Sequence, residues 1–123
     1  MTPKIRNMSF ALTTKQIQAE QKTVTRRDGW RNVQPGDLLR PVDRVMGFKK
    51  GERPRALLAG GRLIEVVSAV RQPLESITPE DVACEGFPDM TPAEFVAMYR
   101  KHGDKSSDGM VTRIEFRYVG GDQ

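Results

Sequence analysis

The chain has almost none of the residues that staple small proteins together: its 123 residues include one cysteine, Cys84, and one histidine, His102. A single cysteine excludes an internal disulfide, and its distance from His102 gives no zinc-ligand spacing, so neither a disulfide scaffold nor a zinc module is available. Long apolar runs are missing too. Between Met1 and Lys15 the only one is Met8 to Leu12, five residues, against about 7 to 15 for a signal-peptide core and about 20 for a spanning helix. We therefore expect a cytoplasmic protein without a membrane partner. No stretch has the composition of an interdomain linker and no segment repeats. With 37% hydrophobic and 29% charged residues, the length suits one domain over 1–123, expected as a monomer.

What the sequence does have is charge, unevenly placed. The net charge of +4 hides 15 Lys and Arg against 6 Asp and Glu from Met1 to Arg71, and 5 against 10 from Gln72 onward. The halves thus carry +9 and −5. A basic half of this size suits a polyanion surface, nucleic acid first, unless the halves interleave in the fold and neutralise each other.

Met8 to Leu12 reads as a strand leading into a helix over 14–21, with Thr13 as cap, Gln16 completing a capping box, and Leu12 and Ile17 forming a hydrophobic staple. The β-branched run Thr23-Val24-Thr25 then favours a strand, and Asp28-Gly29 a turn. After the turn signal Gln34-Pro35-Gly36-Asp37, a strand is expected from Leu38 to Met46, at an edge or with a bulge because of Pro41. Gly47 to Arg55, with Lys49, Lys50, Arg53 and Arg55, reads as an exposed, mobile basic excursion. Ala56 to Val70 reads as a hairpin through Gly60-Gly61 into a buried strand from Leu63. Two capped helices follow, at Thr78-Pro79-Glu80-Asp81, stopped by Gly86, and at Thr91-Pro92-Ala93-Glu94, stopped by Gly103. The second places Phe95, Met98, Tyr99 and His102 on one face. Met110 to Val119 alternates as a closing strand, with Ile114, Phe116 and Tyr118 on one side. These elements imply an α+β fold, a mixed β-barrel of five to six strands with two or three short helices.

The densest polar cluster is Lys22-Thr23-Val24-Thr25-Arg26-Arg27-Asp28. In an extended strand Lys22 and Thr25 would face opposite ways, but at a helix end residues i and i+3 can share a side. An amine whose proton affinity is lowered by burial and by Arg26 and Arg27 could then take the proton of the Thr25 hydroxyl. The same residues also fit a purely structural role, Lys22 favouring the helix dipole and the threonines the strand. Glu85, at a helix end with no basic neighbour in sequence, is either a solvated surface residue or a carboxylate pointing into a cleft. Cys84 beside it lacks a positioned histidine, since His102 belongs to the apolar helix face. Trp30 could stack on a base or belong to the core.

In order along the chain, Ser9-Phe10-Ala11-Leu12-Thr13 through Gln16-Ile17 to Lys22-Thr23-Val24-Thr25-Arg26-Arg27, then Pro35-Gly36-Asp37-Leu38-Leu39, Glu85-Gly86-Phe87 and Ile114-Glu115-Phe116 resemble the motifs of the ASCH domain family. The resemblance runs over about 9–119 and implies a PUA-like fold. It is similar in particular to the small bacterial enzymes that hydrolyse N4-acetylcytidine. That likeness implies a hydrolase of an amide or acyl group on a modified base, with Thr25 attacking, Lys22 as base and Glu85 orienting or relaying the proton. Arg27 and Asp28 match an Arg-Asp pair that follows the same motif. Arg26, Arg27, Trp30, Lys49, Lys50 and Arg53 are the expected substrate-binding residues, and no metal or organic cofactor is implied. The partner is nucleic acid, RNA ahead of DNA, or a modified nucleoside. A non-catalytic RNA-binding module and a ribonuclease stand as alternatives, because the basic insertion over 47–61 and Trp30 suit a polymer as well as a nucleoside.

Overall fold

Alternation of apolar and polar residues near the C-terminus sets the middle of the sheet. In the computed structural model, which describes residues 5–102 and 108–120, β5 (Met110–Tyr118) buries Val111, Ile114 and Phe116. It pairs antiparallel with β4 (Ile64–Pro73) on one side and with β2 (Val24–Arg27) on the other. β3 (Leu38–Val42) adds to β4, and β1 (Arg6–Ser9) adds in parallel to β3, giving five strands in the order β1-β3-β4-β5-β2. Among the described residues three α-helices accompany them: α1 (Thr14–Gln18), α2 (Pro79–Cys84) and α3 (Pro92–His102). The α+β class and the five-strand mixed sheet are those expected.

The barrel does not close. Its two edges, β1 and β2, are four residues each and share no ladder. The gap is bridged by a side chain instead, the Arg27 guanidinium donating to the Ser9 carbonyl at 2.6 Å.

Two apolar clusters fill the fold. The larger joins Met8, Phe10, Ile17, Leu39, Ile64, Val66, Ile114 and Phe116. The second, Leu74, Ile77, Val82, Phe95 and Val111, lies between α2, α3 and the ends of β4 and β5. A five-residue helix such as α1 cannot hold itself in water, and full burial of Ile17, worth on the order of 2 kcal/mol, fixes it to the core.

Several elements end sooner than expected. The first strand spans Arg6–Ser9, and Ala11–Thr13 winds into a 3₁₀ turn in which Thr13 N–H reaches the Phe10 carbonyl. α1 stops at Gln18, and Glu20 takes a positive φ of 56° that ends any helix. The expected capping box and staple are not formed. Thr13 makes no side-chain cap, Leu12 is 59% exposed, and Gln16 donates to the Gly86 carbonyl at 3.2 Å. The expected strand from Leu38 to Met46 ends at Val42, and its pairing with β4 covers only Leu38 and Leu39. Pro41 therefore sits where β3 has left β4, and its carbonyl accepts from Leu57 instead. In place of a hairpin over 56–70, Ala56 makes one bridge to Val42, and β4 begins at Ile64 after a 3₁₀ turn at Ala59–Gly61. The later helix starts agree with the sequence: Thr78 caps α2 through Asp81 N–H, while Thr91 and Glu94 cap each other at α3. Gly103, the expected stop of α3, lies outside the described residues. No helix among the described residues is long and apolar enough to cross a membrane.

Candidate functional site

A cleft of about 420 Å³ opens between the β1–α1 connection, β2, the end of α2 and α3. Lys22, Thr25, Arg26, Arg27, Trp30 and Glu85 all line it, together with Phe10, Phe87, Met98, Tyr99 and His102. The apolar helix face that carries Phe95, Met98, Tyr99 and His102 is thus one wall of the cleft.

Lys22 reaches the site because the chain reverses after α1. The N–H groups of Gln21 and Lys22 both donate to the Gln16 carbonyl, Tyr118 Oη donates to the Lys22 carbonyl at 2.6 Å, and Thr23 N–H donates to the Cys84 carbonyl. The Lys22 side chain is 3% exposed and donates to Glu85 Oε1 at 2.7 Å and to the Glu85 carbonyl at 2.8 Å. Glu85 is the C-cap of α2, where the helix dipole disfavours a carboxylate. The basic neighbours that the sequence did not show come from elsewhere in the fold: Lys22 on one carboxylate oxygen and Arg26 Nη1 on the other at 3.2 Å. Burial lowers the proton affinity of Lys22 below that of an ordinary lysine, Arg27 and Arg26 add to this, and Glu85 opposes it.

The alternation continues outward. Arg26 Nη2 donates to Asp81 Oδ2 at 2.6 Å, and Arg113 donates to both Asp81 oxygens at 2.7 and 3.0 Å. The Arg113 bonds, helped by Arg26 and opposed by burial, pull the Asp81 carboxyl down to about 2. A chain of alternating charge thus runs Lys22, Glu85, Arg26, Asp81, Arg113. Sequence reasoning missed its outer half. The signal was present, because Asp81 and Glu85 are four apart and share one face of α2.

Thr25 is 3% exposed and its Oγ1 accepts from Arg27 Nε at 3.1 Å. Lys22 and Thr25 therefore line one cleft with different partners, the amine on Glu85 and the hydroxyl on Arg27. Burial lowers the Arg27 guanidinium to about 10, with Glu85 and Tyr99 opposing. Next along the chain, Asp28 Oδ1 accepts from Tyr99 Oη at 2.6 Å, while the Asp28 and Gly29 carbonyls accept from Arg71 and Thr112. These bonds hold Trp30 at a positive φ of 55°, half-buried on the larger core, with the Arg6 guanidinium 4.7 Å from its ring centroid.

Lys49, Lys50 and Arg53 are not in the cleft; they are exposed on the basic excursion. Expected as a loose segment, that excursion folds back on itself. Asp43 and Arg55 exchange backbone and side-chain bonds at its base, Glu52 accepts from Lys49 N–H and Arg44, and Arg44 covers the Phe48 ring at 4.6 Å. Ser9 Oγ ties the base of this loop to the cleft rim through the Asp43 carbonyl at 3.4 Å.

No protein-family model and no curated protein matches the sequence. Solved structures do resemble the fold. The crystal structure of an ASCH domain from Lactobacillus crispatus matches with a TM-score of 0.65 at 14% identity, covering 94% of this chain and 79% of that one. The hypothetical protein PH0355 matches with a TM-score of 0.65 at 18% identity, covering 94% of this chain and all of the other. Protein EF3133 from Enterococcus faecalis matches with a TM-score of 0.64 at 10% identity, over 97% and 77% of the two chains. Identities this low speak for the course of the backbone alone, and the chain shares the fold of that ASCH domain.

Proposed function

We propose that the cleft binds a nucleotide or RNA and hydrolyses an amide or acyl group on a modified base of the N4-acetylcytidine kind. The observation that carries this reading is the convergence of Lys22, Thr25 and Glu85 on one cleft, with the Lys22 amine 2.7 Å from the Glu85 carboxylate. The volume, about 420 Å³, lies in the range of about 300 to 1,000 Å³ usual for small-ligand sites. Phe87, Tyr99 and Trp30 offer apolar surface to a base, at about 1 to 3 kcal/mol per stacked base.

In this mechanism Thr25 Oγ1 attacks the acyl carbon and its proton passes to Lys22, whose neutral form is favoured by burial. Glu85 holds the amine in place and buffers its charge. Collapse of the tetrahedral adduct breaks the C–N bond, the departing amine takes the proton back from Lys22, and water then hydrolyses the Thr25 ester. The test is release of acetate from N4-acetylcytidine and from acetylated RNA by wild type, Lys22→Ala and Thr25→Ala. Turnover only in wild type is expected; equal rates, or none in any form, would refute the mechanism.

A second reading, a non-catalytic RNA-binding module, is favoured by a separate observation. Lys49, Lys50, Arg53 and Arg55 are exposed while the acids beside them, Asp43 and Glu52, are engaged within the loop.

A further inference from the structure

The residues lining the cleft are not equally deep. Lys22, Thr25, Arg26 and Glu85 are buried at its floor, whereas Ala11, Leu12, Gly29 and His102 are exposed and form its rim. One wall spans the whole depth. Along α3, Phe95 is buried, Met98 and Tyr99 are half-buried and His102 is exposed, at the i, i+3, i+4 and i+7 positions of one helix face. Seven residues advance a helix by about 10 Å, so the stripe climbs that far from floor to mouth.

Floor and rim also differ in chemistry. At the floor the polar side chains have protein partners: Lys22 and Arg26 hold Glu85, and the Thr25 hydroxyl accepts from Arg27. Of the four rim residues, His102 alone has a side chain that can hydrogen-bond, and among the described residues it makes no hydrogen bond or ion pair. On the β1–α1 side of the mouth, Leu12 leaves 59% of its surface exposed instead of stapling α1. A polar group and an apolar one thus stand unused at the entrance.

We propose that His102 and Leu12 are the sugar subsite of the cleft: the imidazole hydrogen-bonds a ribose hydroxyl, and the leucine packs on the carbon face of the same ring. This deepens the hydrolase reading and rests on it for the direction in which the base lies. In an N4-acylated cytidine the acyl group and the sugar leave opposite corners of the pyrimidine ring. With the acyl carbon beside Thr25 at the floor, the sugar is carried to the rim. A neutral imidazole offers one donor and one acceptor, and a protonated one offers two donors, so either form bonds a hydroxyl. The rim does not touch the reacting atoms. Its contacts are therefore the same in the ground state and the transition state, and they set KM rather than kcat. They also separate a nucleoside from the free base, which has no sugar to hold.

Both residues are exposed, so replacing them leaves the core and the buried Lys22–Glu85 pair intact. Trp30, the single tryptophan of the chain, lines the same cleft and reports binding by its fluorescence. Titrated with cytidine and with cytosine, wild type is expected to hold the nucleoside about tenfold tighter, the worth of one hydrogen bond and the apolar area covered. His102→Ala should bring the two ligands to within about twofold of each other, and His102→Gln, which keeps a donor and an acceptor, should recover part of the preference. Leu12→Ser should give a smaller loss, and Arg100→Ala, on the same helix but outside the cleft, should change nothing. With N4-acetylcytidine as substrate, His102→Ala should raise KM at unchanged kcat, while N4-acetylcytosine should show the same KM in both proteins. The proposal is overturned if wild type binds neither cytidine nor cytosine, if it does not distinguish them, if His102→Ala keeps the full preference, or if that variant loses kcat with KM unmoved. A cytidine preference that depends on His102 in a protein releasing no acetate upholds the subsite and removes the hydrolase reading alone. Acetate release with a preference indifferent to His102 does the reverse.

Discussion

Lys22 Nζ lies 2.7 Å from Glu85 Oε1 and 2.8 Å from the carbonyl of the same residue, so one ammonium closes both the side chain and the main-chain end of α2. Buried this deeply, neither partner can be removed cheaply. Glu85→Gln leaves Lys22 and Arg26 without their shared acid and should cost about 3 to 5 kcal/mol in urea unfolding. Lys22→Met combined with Glu85→Gln should cost less than the two single changes added together, because the double change strands fewer buried charges. Additive losses would mean that the pair is not coupled.

The second contact at this corner is steric. Gly86 has a φ of +103°, and a Cβ there would lie 2.8 Å from Gln16 Cγ and 3.0 Å from Gln16 Cβ. Gly86→Ala should therefore destabilise by about 1 to 3 kcal/mol, from backbone strain and from displacement of the α1 side chain. It should also lower turnover, since Gln16 and Gly86 join the two segments that bring Lys22 to Glu85. A thermal shift within error of wild type would contradict this.

Asp81 carries the acid end of the stability profile. Its carboxyl is held at about 2 by Arg113 first and Arg26 second. The unfolded chain takes up the proton first, so the contribution, about 2 kcal/mol, is complete above about pH 4 and is lost as pH falls from there toward 2. Asp81→Asn should lower stability near neutral pH and remove that part of the acid slope. A mutant curve parallel to wild type between pH 4 and 2 would show that Asp81 is not responsible.

The motif resemblance groups Lys22, Thr25 and Glu85, and the fold class follows from the strand alternation and the helix caps at Thr78 and Thr91. What was illegible depends on contacts between distant segments. Nothing local to Thr13-Thr14-Lys15-Gln16 says that Gln16 will abandon a capping box for the Gly86 carbonyl 70 residues away. Glu85 looked unsupported because both of its cations come from a segment far away in sequence, 63 and 59 residues earlier. Closure of the barrel could not be read either, since it depends on whether two four-residue edge strands meet, and a guanidinium stands between them.

On the second reading, polymer binding belongs to the basic excursion and not to the cleft. With Lys49, Lys50, Arg53 and Arg55 exposed, affinity for an RNA oligonucleotide should fall steeply with salt, and reversal of these four charges should flatten that slope by about 3 to 4 units of log K per log salt. Turnover of the free nucleoside should stay unchanged. An oligonucleotide affinity indifferent to salt and to the four reversals would exclude the loop from binding.

The most direct measurement is the pH dependence of acetate release from N4-acetylcytidine by wild type and by Thr25→Val, which removes the hydroxyl and leaves the Lys22–Glu85 pair in place. Wild type should turn over with a basic limb rising below the pH at which an ordinary lysine loses its proton, in keeping with the lowered proton affinity of Lys22, and Thr25→Val should be at least a hundredfold slower across the range. Equal rates in the two proteins, or no release by wild type at any pH, would contradict the account.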